Sequence, residues 1–367
     1  MDRMEFSVNT KALAGLGDML DRRAHDLTRT AGYVDAQSYL QWGPGLLNVL
    51  TGAHDRIVRE VDGFLRRAGN SHLHQYSVAV NGAIQEYRGS DQAADARLDA
   101  TLPGGVDSLP PTWAKPADQS LGPEIFADPA PLVLKIPPDF RAEHPFEPSW
   151  TDVFGPSSID RDVLWAISKV GVRLGVLDEP IDAFEAFTLP LCGDWAGLER
   201  FSFALRQAAH AVSHVSERVH EGTAAQDLVW TGHAADSCAA VLGRFAFDLQ
   251  DARTALEDIA TEYHEVAEAA RKKGEALGHL VAVVADIVGS FGGAMIVEGP
   301  EFLAAIRNLD DLIELICHGI ETLVATLEGK SAALELKADL LSLMLTGSMD
   351  ASLSDAMPVL PTPPHGR

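Results

Sequence analysis

ADSCAAVLGRFAFDLQDARTALEDIATEYHEVAEAARKKGEALGHLVAVVADIVGSF, residues 235–291, decides the fold. Ala235, Cys238, Leu242, Phe245, Leu249, Ala252, Leu256, Ile259, Tyr263, Val266 and Ala270 follow one another in steps of three and four. The phase continues through Leu277, Leu280, Val284, Ile287 and Phe291, broken by Lys273 and by no proline. A 3.5-residue repeat selects left-handed helix-on-helix packing. One continuous helix here would be about 85 Å long, and a lone helix cannot bury its own apolar stripe. Partners are therefore required along its whole length.

Two neighbouring stretches carry the same pattern. Upstream stand Leu198, Phe201, Leu205, Ala208, Val212, Val215 and Val219, with Asp194 as N-cap and Gly222 as the expected end. Downstream stand Phe302, Ile306, Leu309, Ile313, Ile316, Ile320, Leu323 and Leu327, after Gly299-Pro300, with proline at the first helical position. The simplest arrangement sets one antiparallel partner against each half of the central helix.

Outward from this frame, three more amphipathic segments precede it, over 6–34, 46–68 and 72–100. Trp42-Gly43-Pro44-Gly45 and Gly69-Asn70-Ser71 read as breaks between them. Residues 101–190 hold 14 of the 20 prolines, a density that excludes continuous helix and central strands. Trp113, Phe140, Phe146, Trp150 and Trp165 punctuate that stretch, so it reads as an extended arm laying aromatic anchors onto the helices. The expected organisation is all-α: elongated antiparallel helical hairpins or a bundle, with a long central helix and a proline-rich arm between two helical domains. The domains are a helical unit over 1–102, the arm over 103–189 with a short helix near 159–175, a helical hairpin unit with a return helix over 190–346, and a disordered tail over 347–367. The tether is long enough to let the two helical units pack on each other.

Composition narrows the function. Fifty-three Asp and Glu against 29 Lys and Arg give a formal net charge of -24, which repels phosphate backbones and anionic membranes, so no nucleic-acid partner is expected. Cys192, Cys238 and Cys317 make neither a disulfide framework nor a zinc spacing. Met1 to Phe6 lacks the apolar core of a cleaved signal peptide. No phosphate loop, nucleophile elbow or zinc-protease helix motif occurs, so neither enzyme activity nor a cofactor is expected. His210, His214 and Glu217 share a helix face in a metal-compatible spacing. They fall on the outward side of the seam, and no metal is assigned to them. Leu280 to Val297 is apolar enough to suggest membrane insertion, but it is short, glycine-broken and interrupted by Asp286, so a buried helix end is the preferred reading.

Trp230-Thr231-Gly232 stands between the upstream and central helices. A tryptophan-x-glycine turn joining two amphipathic helices resembles the Trp-x-Gly hairpin superfamily secreted by bacterial type VII systems. The approach segment from Leu189 to Trp195 is similar to that of longer actinobacterial members. Tyr87 and Asp91 fit the Tyr-x-x-x-Asp/Glu export signal at the end of a last helix, whereas Ala267 stands where an acid would follow Tyr263. The resemblance implies a secreted or cell-surface protein, cytoplasmic before export and carrying no cleaved signal. It implies protein partners: secretion machinery, and either a helical-hairpin partner or internal pairing of the two units. Alternatives are a membrane-active effector inserting 280–297 and a cytosolic structural protein.

Overall fold

A computed structural model describes residues 7–42, 45–89, 117–128, 130–143, 193–291 and 300–344, with single positions at 165, 168, 169, 172 and 182. Six long helices dominate: α1 (Thr10–Gln37), α2 (Thr51–Arg66), α3 (His74–Gly89), α4 (Trp195–Gln226), α5 (His233–Phe291) and α6 (Pro300–Met344). The described chain is all-α apart from one antiparallel ladder, β1 (Ser7–Val8) on β2 (Trp230–Thr231).

The heptad stretch forms the 59-residue α5, about 88 Å long at 1.5 Å per residue. Leu242, Phe245, Leu249, Leu256, Ile259 and Tyr263 along its seam are buried. Helix α4 runs back along its first half. Hydroxyls stitch the pair: Ser202 Oγ donates to the Ala260 carbonyl at 2.6 Å and Ser216 Oγ to the Ala246 carbonyl at 2.7 Å. Gln226 Nε2 donates to the Ala235 carbonyl at 2.8 Å where the hairpin closes. Helix α6 lies antiparallel to the second half, with Lys330 between Glu262 and Glu265. It also runs past that half, for Lys337 reaches Glu262 at 3.1 Å, while Arg56 of α2 pairs with Asp339.

Helices α1, α2 and α3 join the α4–α5 hairpin in one continuous core. Leu13, Leu20 and Leu27 of α1 share that core with Phe201 and Phe245. The arm crosses the outside of α1. Phe126 is buried there, and a Cβ on Gly15 would lie 2.6 Å from the Pro123 carbonyl oxygen, so the glycine is what admits the arm backbone.

Several boundaries differ from expectation, each for a physical reason. The first helix begins at Thr10, not near residue 6, because Ser7 and Val8 are paired as a strand and Asn9 caps the helix, its Oδ1 accepting from Ala12 N at 3.1 Å. The segment from residue 46 opens with a 3-10 turn, Leu46–Leu50, before α2. Gly69-Asn70-Ser71 does not stop the chain: a π-helical stretch, Arg67–Leu73, carries α2 into α3. Gly69 is required there by proximity, since a Cβ on it would sit 2.7 Å from the Ala24 carbonyl oxygen of α1. Gly222 likewise does not end α4, which runs to Gln226, but accommodates Met19 of α1. The third helix is described as far as Gly89. The expected short helix near 159–175 and the tail over 347–367 lie largely or wholly outside the described residues.

Candidate functional site

One end of the bundle gathers four segments that are far apart in sequence. Gly232 turns the chain from α4 into α5 at φ 121°, in the left-handed region that glycine alone adopts without strain. The turn is then locked from outside. Ser7 and Val8 pair with Thr231 and Trp230, Asn9 N donates to the Val229 carbonyl at 2.7 Å, and Thr231 Oγ1 donates to the Ser7 carbonyl at 3.2 Å. The start of the arm closes over the same spot. Asp118 N donates to the Leu228 carbonyl at 2.8 Å, and Asn9 Nδ2 donates to the carbonyls of Asp118 and Leu121, both at 2.9 Å. With Oδ1 capping α1, both ends of the Asn9 amide are engaged, so it ties turn, helix and arm together.

Tyr87, at the end of α3, completes this corner. Its ring meets Trp230 edge to face, with centroids 6.1 Å apart and planes at 71°. Both side chains are buried. The indole Nε1 is buried and finds no acceptor among the described residues. Burial, and then the neighbouring Asp236 charge, raise the Asp227 carboxyl beside the turn above its usual range. The structure thus brings Trp230, Gly232 and Tyr87 into one place. Asp91 lies outside the described residues.

The proposed metal pattern on α4 is not assembled. His210 and Glu217 are exposed, while His214 turns toward α1 and accepts at Nδ1 from Arg23 Nη1 at 3.2 Å. Glu217 instead accepts from Ser213 Oγ at 3.2 Å. Among the described residues no group of three or more His, Cys, Asp or Glu side chains is arranged to hold a metal. No described helix is long and apolar enough to cross a membrane. Of the cysteines, Cys238 and Cys317 are free thiols, and burial pushes Cys238 up to about 12, far from a reactive thiolate.

Two polar nodes escaped the sequence reading. The first is Arg23 of α1, its side chain only 3% exposed, which donates to Asp128 of the arm at 2.7 Å and pairs with Asp26 at 3.0 Å. Arg22 holds the same Asp128 oxygen at 2.8 Å and the Phe126 carbonyl at 3.0 Å. Farther along, Arg29 donates to the Leu132 carbonyl, Tyr33 to the Lys135 carbonyl, and Arg141 pairs with the N-cap Asp194. These bonds strap the arm over α1 and α4.

The second is His54 of α2. Nε2 lies 2.8 Å from the Ser38 carbonyl, and Nδ1 lies 2.9 Å from the Tyr263 hydroxyl. A carbonyl only accepts, so Nε2 carries the proton, and a neutral ring then accepts at Nδ1 from Tyr263. Phe201, Tyr263 and Trp42 surround the imidazole edge-on, beside an open cleft of about 730 Å³. Burial lowers the His54 pKa more than the Ser38 bond and the Asp55 charge raise it. His214 is also lowered, by burial and then by Arg23 and Arg218. The consequence has a definite sign. Above the ordinary histidine range both states are neutral and the full stability is present. As pH falls through that range the unfolded chain takes up protons that the folded chain refuses. Unfolding free energy should therefore be lower at pH 5.5 than at pH 7.5. Urea titrations at the two pH values measure it. A His54→Leu chain whose pH dependence matches that of the unsubstituted protein would refute the assignment.

No protein-family model, curated protein or solved structure matches this chain.

Proposed function

We propose that the chain is a non-enzymatic export-targeting and partner-binding helical module, a substrate of a type VII secretion pathway, cytoplasmic before export and secreted or surface-borne after it. The observation that carries this reading is the contact of Tyr87 with Trp230. The Trp-x-Gly turn and the Tyr-x-x-x-Asp element were identified separately in the sequence, and nothing local requires them to meet. Their rings share one buried corner, where the Nε1 of Trp230 has no acceptor among the described residues, and Tyr87 stands just before Asp91 in the chain. The ring contact fixes the end of α3 against the Trp-x-Gly turn, so a receptor can read the exposed surface around that corner as one, with the positional precision that two flexible tails would lack. The arm and β1 act as braces for it.

The test is secretion from a host that exports this protein, for Trp230→Ala, Tyr87→Ala and Asp91→Ala. Each variant should fall in the medium to the level of a strain lacking the secretion ATPase, while the intracellular pool rises. Asp91→Ala is the decisive variant because it removes no buried side chain described in the fold. Normal export of all three, at normal intracellular levels, would overturn the reading.

A further inference from the structure

Helix α1 holds the arm the way a receptor holds an extended peptide. Over residues 117–135 the arm makes one main-chain bond to the main chain of another element among the described residues, Asp118 N to the Leu228 carbonyl. Side chains read its carbonyls instead: Asn9 at Asp118 and Leu121, Arg22 at Phe126, Arg29 at Leu132 and Tyr33 at Lys135. Two apolar anchors, Phe126 and Leu132, are 4% and 5% exposed. Between them Asp128 is held by Arg22 at 2.8 Å and by Arg23 at 2.7 Å. Main-chain bonds that supply affinity, with pocketed side chains that supply specificity, are the division of labour in peptide recognition.

The arm is an incomplete ligand for this face. Asp26 and His214 take Nη1 of the buried Arg23, and Asp128 Oδ2 takes Nη2. The remaining donor, Nε, is buried and meets no acceptor among the described residues. Oδ1 of Asp128 is equally buried and meets no donor there. The carboxylate spends one oxygen on both arginines, where a bidentate partner would engage Nε and Nη2 of Arg23 together. Beside it an open cleft of about 550 Å³ runs between Arg22, Arg29, Asp128 and Leu132, which leaves room for a ligand seated differently. The carboxylates of α1 at this cleft are already matched, Asp26 by Arg23 and Arg29, and Asp21 by His74.

We propose that the arm-covered face of α1 is a recognition site for an extended acidic segment of a partner protein, with a carboxylate between two large apolar side chains, and that the chain's own arm fills it until such a segment displaces it. Charge complementarity selects that occupant. Residues 117–134 carry Asp118, Glu124 and Asp128 and no Lys or Arg, and they meet Arg22, Arg23 and Arg29 in a chain whose formal net charge is -24. The protein as a whole repels such a segment, so holding one takes a locally built site. A partner that engages both Nε and Nη2 of Arg23 makes a bond that the arm leaves unmade, which offsets the advantage the arm has from its tether. The site does not depend on the export reading.

The experiment uses the full chain, unsubstituted or carrying Phe126→Ala with Asp128→Ala, which loosen the arm and leave α1 intact. The probe is a labelled synthetic peptide of residues 117–134. Fluorescence anisotropy at physiological salt should show it binding the loosened chain about tenfold or more tightly than the unsubstituted one, whose arm competes from within. Asp128→Asn in the peptide should weaken that binding about tenfold, and Phe126→Ser with Leu132→Ser in the peptide should abolish it. Non-specific electrostatics predicts the reverse for Asp128→Asn, which makes the peptide less negative. Unchanged or tighter binding of that peptide would therefore overturn the proposal, as would no binding of the arm peptide to a loosened chain that keeps its helix content by circular dichroism. If the loosened chain loses helix, hydrogen exchange of the unsubstituted protein decides. Excess arm peptide should speed exchange over residues 117–135, and exchange no faster than with a scrambled peptide would overturn the proposal. Sedimentation of the unsubstituted protein adds one more outcome: a dimer that the free peptide dissolves would overturn the choice of a foreign partner and assign the site to the arm of a second copy.

Discussion

Asp128→Ala is expected to lower the unfolding free energy by about 3 kcal/mol, the low end of the cost of removing one partner of a buried ion pair. The reason lies in Arg23. Its guanidinium is almost wholly buried, and Asp128 supplies its 2.7 Å carboxylate contact from the arm. Without it the charge keeps Asp26 and the neutral His214 ring, so the loss is partial rather than complete. Arg22 is largely solvated and adds little. The same substitution should free the strap, because Asp128 lies midway between the Asn9 anchor at Asp118–Leu121 and the Lys135 and Arg141 contacts. Hydrogen exchange over residues 117–143 should rise while exchange in α5 holds. Asp128→Asn, which keeps an acceptor but removes the charge, should fall between. A stability loss under about 1 kcal/mol, typical of an exposed pair, would show that Arg23 does not need its arm partner.

Tyr263→Ala should be the more damaging change, at about 4 kcal/mol, in the range for truncating a buried aromatic ring. Tyr263 is fully buried, packs edge-on against Phe201 at 4.9 Å and supplies the hydroxyl to His54. Tyr263→Phe separates the two contributions. It keeps the ring and removes the donor, leaving the buried Nδ1 of His54 unmet at a cost of about 1–3 kcal/mol. In a His54→Leu background that second cost should vanish, because no acceptor remains to be left unsatisfied. Denaturant unfolding of the four chains forms a double-mutant cycle. Additive effects within about 0.5 kcal/mol would refute the coupling.

Much of the architecture could be read from the sequence because its causes are local. The three-four spacing from Ala235 to Phe291 needs no knowledge of the partner to specify a helix with one sticky side, and the structure has that helix over His233–Phe291. Asp194 and Pro300 mark helix starts for equally local reasons, an N-cap side chain and a missing N–H, and both helices begin there. Gly232 was legible as a turn because only glycine takes that backbone without strain, and its φ of 121° agrees.

The tertiary structure decided the rest, and the reason is distance along the chain. A two-residue strand has no period, so the pairing of Ser7–Val8 with Trp230–Thr231 left no mark in the pattern. Gly69 and Gly222 looked like helix ends, since glycine weakens an isolated helix. Each is kept because another helix crosses within about one side chain of it, and that crossing belongs to α1. Arg23 and His54 stood on apolar stripes, between Leu20 and Leu27 and between Leu50 and Ile57, which is itself a signal of buried polarity. Their partners, Asp128 and Tyr263, could not be inferred from them, because a buried charge or ring nitrogen needs a counterpart in space and the sequence records no distance in space. The meeting of Tyr87 with Trp230 is of the same kind: each residue was legible where it stands, and only the packing of α3 against the α4–α5 turn put them together.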